Sequence, residues 1–151
     1  MKIHIDISGQ VSQKNYDSSL GCKRIDGVIK SVFLRKTTKK AIIKKYKGQV
    51  VNLVEKIHCI LIYYCIRDIL DDVDELIICR DGNFRRIARL LPLLFSEHKD
   101  FFKIKISQRR TGDKKSDGHY PALKTFRKKR YADKMISREM VEEKLFEFKR
   151  K

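Results

Sequence analysis

The stretch LIICRDGN, positions 76–83, decides how this chain is read. Leu76, Ile77, Ile78 and Cys79 form a continuous apolar run without helical spacing, which predicts a short buried strand. The run stops at Arg80, Asp81 and Gly82, a polar break containing glycine. Beyond it Phe84, Ile87, Leu90, Leu91, Leu94 and Phe95 recur at three- and four-residue intervals. A helix therefore follows, with Asp81 or Asn83 near its cap and Pro92 kinking or shortening it. Asp81 stands at a strand-to-helix junction, where it either caps the helix or meets a ligand at the carboxyl end of a sheet.

Working outward, residues 1–8 alternate, with Ile3, Ile5 and Ile7 on one side and Lys2, His4, Asp6 and Ser8 on the other. That is a strand carrying Asp6 near its end. Gly9 closes it, and a polar loop follows. Two β-runs over 20–34 flank Asp26-Gly27, a tight-hairpin signal. Residues 35–47, dominated by Lys and Thr, are either a strand extension or an exposed basic connector. Val50, Val51, Val54, Ile57, Leu61, Tyr64 and Ile69 keep helical spacing, predicting a long helix over about 48–70. FFKIKIS, residues 101–107, alternates again as a strand, and QRRTGDKKSDG after it reads as a polar loop leading to His119. The remainder is helical in composition, with Leu123, Phe126, Ala132, Met135 and Ile136 as an inner stripe and Asp133 inside the helix. The whole, 1–151, reads as one α/β domain.

Charge narrows the function. Lys and Arg total 36 against 19 Asp and Glu, a formal net charge of +17. Self-repulsion of that size points to a polyanionic partner, nucleic acid first, with a solvated lysine-rich surface as the bland alternative. The longest apolar block, IHCILIYYCI at 57–66, falls short of the about 20 residues a bilayer span needs, so no membrane partner is expected. It reads as a buried helix, or as the interface of a homodimer in a scaffold protein. No secretory pattern opens the chain. Cys22, Cys59, Cys65 and Cys79 show no zinc spacing and read as reduced core residues of a cytoplasmic protein.

The carboxylates carry the sharper expectation. Glu55 is the only acidic residue between Gly27 and Arg67; it either pairs with a lysine such as Lys56 or aims inward at something positive. Asp6 in KIHIDISG, Glu55 after the three-stranded meander, Asp81 at the end of the fourth strand, and Asp133 downstream of His119 fall in the order found in ribonuclease H-like proteins. The chain resembles that superfamily, and IICRDG with KISQRRTG and HYPALKTFRKKRYAD is similar to its PIWI branch. The resemblance implies a mixed five-stranded sheet with helices on both faces. It further implies a nuclease that hydrolyses phosphodiesters with two divalent ions, Mg²⁺ or Mn²⁺, held by Asp6, Glu55, Asp81 and Asp133. Such ions, about 3.5–4 Å apart, supply an activated water and neutralise attacking and leaving oxygens. His119 is then a proton relay beside the site; otherwise it is a surface histidine. Arg85, Arg86, Arg109, Arg110, Lys114, Lys115, Arg127, Lys128 and Lys129 are candidate phosphate contacts on RNA, DNA or hybrid. The alternative is a nucleic-acid-binding module on the same fold that does not cleave.

Overall fold

A computed structural model of the chain describes residues 1–79, 82–109 and 118–149. The alternating first stretch forms β1 (Lys2–Ser8), and the Asp26-Gly27 turn joins β2 (Ser18–Arg24) to β3 (Ile29–Leu34). Gly27 takes φ +102°, and Arg24 Nε donates to Asp26 Oδ1 at 2.8 Å, pinning the turn. These three strands make an antiparallel meander. The apolar run at Leu76 forms β4 (Glu75–Ile78), parallel to β1, and β5 (Lys105–Gln108) lies parallel to β4. With β6 (Lys134–Met135) beside β3, the mixed sheet has six strands in the order β5-β4-β1-β2-β3-β6. Five α-helices accompany it among the described residues: α1 (Lys36–Tyr46), α2 (Leu53–Ile66), α3 (Phe84–Leu90), α4 (His119–Arg127) and α5 (Arg138–Lys149).

Helices cover both faces of the sheet. Ile5 and Cys22 are register partners on one face, where Cys65 of α2 brings its Sγ to 3.5 Å from that of Cys22. Asp6, Gly21 and Ser31 form the next row, facing the opposite way. There Thr125 of α4 donates to Ser31 Oγ at 2.8 Å. The four cysteines are free and buried. Ile57, Ile60, Leu61, Ile62 and Ile66 of α2 are fully buried, each burial stabilising the fold by about 2 kcal/mol. The 57–66 block is thus the central core helix, buried except for the half-buried Tyr63, and its burial lends no support to a dimer interface there. No helix among the described residues is long and apolar enough to cross a membrane.

Other differences from the sequence reading have local causes. Residues 35–47 are neither strand nor connector but mostly α1, whose inner face is Lys39, Ile42, Ile43 and Tyr46; a lysine in that stripe hid the helical period. Asn52 adopts φ 57°, so α2 starts at Leu53. Asn83 Oδ1 accepts from Arg86 N at 3.2 Å and caps α3, which passes into a 3-10 turn at Leu91–Phe95 where Pro92 falls. The C-terminal region is not one long helix. α4 ends at Arg127, and Asp133 lies in the strand-like stretch before β6. The cause is the open edge of β3: Ser31 O accepts from Asp133 N at 2.8 Å, and Ser31 N donates to Asp133 Oδ2 at 2.7 Å.

Candidate functional site

The parallel trio β1, β4 and β5 places three carboxyl ends on one edge of the sheet, where open α/β sheets bind ligands. Backbone bonds carry the trio one step further: Cys79 N donates to Ile5 O at 3.0 Å, and Arg109 N to Ile78 O at 2.9 Å. Asp6 follows Ile5 at this edge. It is only 5 % exposed, and its Oδ1 accepts from Ile7 N at 2.8 Å.

α4 reaches the same place because two glycines let backbone meet backbone. A Cβ on Gly118 would lie 2.8 Å from His4 O and 2.9 Å from both Asp6 N and Gly21 O. A Cβ on Gly21 would lie 2.3 Å from Ala122 N. The first residue of α4, His119, consequently brings Nδ1 to 3.5 Å from Asp6 Oδ2, an ion pair when the imidazole is protonated. The helix N-terminus adds a positive partial charge beside this carboxylate. An isolated glycine inside a strand marks a close approach of another backbone, so Gly21 was the legible sign of this seam.

Of the expected site residues, Asp6 and His119 are brought together. Glu55 lies in the first turn of α2, on the sheet face opposite to the Asp6 side chain, and its Oε1 is 3.5 Å from Arg86 Nη1. Asp133 belongs to the row of Ser31, three strand spacings from Asp6, about 14 Å. Asp81, Arg110, Lys114 and Lys115 lie outside the described residues. Among the described residues no group of three or more His, Cys, Asp or Glu side chains is placed to hold a metal ion. Asp6 and His119 are a partial donor set. It fits an Mg²⁺ ion that keeps several waters and takes one or two carboxylates, provided Asp81 joins; among the described residues neither Glu55 nor Asp133 completes a three-residue donor group with them. Of the expected phosphate contacts, Arg85, Arg86, Arg127, Lys128 and Lys129 are exposed and Arg109 is half-buried.

No family model, curated protein or solved structure matches the chain.

His58, which composition did not single out, sits beneath the same edge. It is 4 % exposed, its Nδ1 is 3.4 Å from where a Cβ on Gly82 would be, and its Nε2 has no hydrogen-bond partner among the described residues. Burial pushes the imidazole down from 6.5 to about 4. As pH falls, the unfolded chain takes this proton first, so the fold loses stability between 6.5 and 4. The full shift corresponds to roughly 3 kcal/mol. His58→Leu is expected to flatten that part of the pH–stability curve in urea titrations. An unchanged slope would mean that other groups drive it.

Proposed function

We propose that this chain hydrolyses nucleic-acid phosphodiester bonds with Mg²⁺ or Mn²⁺ held by Asp6 and Asp81, as its resemblance to ribonuclease H-like proteins implies. The observation that carries the reading is the buried Asp6 beside His119 at the carboxyl edge of three parallel strands, at the start of a helix whose far end is strongly basic. A bound divalent ion supplies Lewis acidity and lowers the pKa of its water. The chain's own groups do the rest. Asp6, fixed by the Ile7 amide, is a rigid oxygen donor. His119, with Nδ1 toward Asp6, retains a second ring nitrogen for exchanging a proton with the leaving oxygen. Arg127, Lys128 and Lys129 hold phosphates in a sequence-independent way.

A second reading, a binding module that does not cleave, is favoured by the engagement of Glu55 with Arg86 and of Asp133 with Ser31. The two part company in a cleavage panel of single-stranded RNA, DNA, hybrid and branched junctions with Mg²⁺ or Mn²⁺. Wild type is expected to cleave at least one of them, with Asp6→Asn and Asp81→Asn reduced to background while still binding. Equal background in all three proteins would sink the hydrolase and leave the binding module.

A further inference from the structure

The outer side of α4 carries a groove of about 510 Å³ lined by Ile29, Tyr120, Leu123, Lys124, Lys128 and Tyr131, among others. Its aromatic residues are unusually open for large side chains: Tyr120 is 68 % and Tyr131 41 % exposed. Tyr120, Lys124 and Arg127 stand four and seven residues apart along α4, so they share a face, and Lys128 lines the groove from just past the helix end. Tyr131 comes alongside from the turn after the helix, with Lys124 Nζ 4.2 Å and the Arg130 guanidinium 5.2 Å from its ring centroid.

Charge decides what such a groove takes. From Gly118 to Ala132 the chain has no acidic residue. Among the described residues no carboxylate forms an ion pair with Lys124, Arg127, Lys128, Lys129 or Arg130. An apolar ligand would leave these cations without a counterion, and a simple polyanion would leave the rings in water. Unpaired nucleotides satisfy both, since bases stack on aromatic rings while phosphates meet the cations. A duplex satisfies only the second, because its bases are already stacked on one another. The groove also starts at the site: the Tyr120 ring meets the His119 ring edge-on at 5.5 Å.

We infer that the α4 groove is a binding track for single-stranded nucleic acid, with Tyr120 and Tyr131 as base-stacking platforms and Lys124, Arg127 and Lys128 as phosphate contacts. The track rests on the nucleic-acid half of the proposed function and is independent of hydrolysis.

The test is fluorescence anisotropy in EDTA, which silences any metal-dependent cleavage. Labelled single-stranded DNA and RNA oligonucleotides are compared with a blunt duplex of the same length, on the full chain and its variants. Wild type is expected to bind a single strand more tightly than the duplex, and whichever of DNA or RNA binds better names the source. Tyr120→Ala and Tyr131→Ala are each expected to weaken single-strand binding about tenfold without changing the salt dependence, and Tyr→Phe to restore it. Lys128→Gln is expected to lower the salt slope instead. Single-strand binding within twofold of wild type in both Tyr→Ala variants overturns the track, as do equal or tighter duplex binding and no binding at all. Anionic phospholipid vesicles that bind wild type but not Tyr120→Ala, with oligonucleotide binding unaffected, would likewise overturn it in favour of a membrane surface. Because the readout excludes catalysis, an inactive Asp6 site leaves this result untouched, and a failed track leaves the cleavage panel to stand by itself.

Discussion

Gly21→Ala is expected to destabilise the fold by about 3 kcal/mol, and Gly21→Val by more. The added Cβ would lie 2.3 Å from Ala122 N and 2.8 Å from both the carbonyl carbon and Cβ of Pro121. Two of these are backbone atoms, which no rotamer change can move. β2 is held on both sides by β1 and β3, so the helix has to give way. Lifting α4 also separates Thr125 from Ser31 and His119 from Asp6. A useful control is Gly27→Ala: nothing lies within 4 Å of the new Cβ, and the φ of +102° alone makes it costly, by about 1 kcal/mol. Urea unfolding of the two variants separates collision from backbone strain. Equal losses in both would mean that α4 is not seated on Gly21.

Lys39→Met is expected to destabilise by about 3 kcal/mol at neutral pH, although it removes a charge from the interior. Lys39 is 0 % exposed. Its Nζ donates to Gln10 O at 3.1 Å, Gln13 O at 2.9 Å and Ser18 Oγ at 2.8 Å, and these three acceptors use the three protons of an ammonium. Methionine fills the volume but removes the ammonium from Gln10 O and Gln13 O, which keep only the amides of Gln13 and Tyr16, and from the Ser18 hydroxyl at the start of β2. Burial pushes Lys39 down from 10.5 to about 8. The folded state therefore gives up this proton before the unfolded state does, and wild type gains stability from this group as pH rises from 8 to 10.5. The methionine variant lacks that gain. Thermal melts should show the gap between the proteins widening over this window, and a constant gap would remove ionised Lys39 from the account.

Much of the layout was legible because it depends on local pattern. The alternation of Ile3, Ile5 and Ile7, the Asp26-Gly27 turn and the apolar run at Leu76 each act within a few residues, and each became the predicted element. What escaped depends on partners distant in sequence. α1 was unreadable because Lys39 occupies an apolar position, stabilised by a loop that the helix pattern does not include. β6 has two residues and exists through β3, so Lys134 and Met135 carry no strand signal of their own. At the site, Asp6 and His119 were both named, but Glu55 and Asp133 are on different faces or rows of the sheet from what their order along the chain suggested. Order along a chain says which element bears a carboxylate; the helix register and the strand row decide where it points.

The bond pair between Asp133 and Ser31 has a bearing on solubility. β3 would otherwise present a six-residue flank of open peptide groups to any other chain. β6 covers Val32 and Phe33, and the Asp133 amide and carboxylate cover Ser31, one of them a side chain standing in for a strand. The far flank, β5, is four residues long and opens on Lys105, with Lys103 in the turn before it. Among the described residues neither side offers a long, uncharged strip for templated strand addition. A protein this rich in β-branched residues can therefore be concentrated without its sheet pairing edge to edge with a second copy.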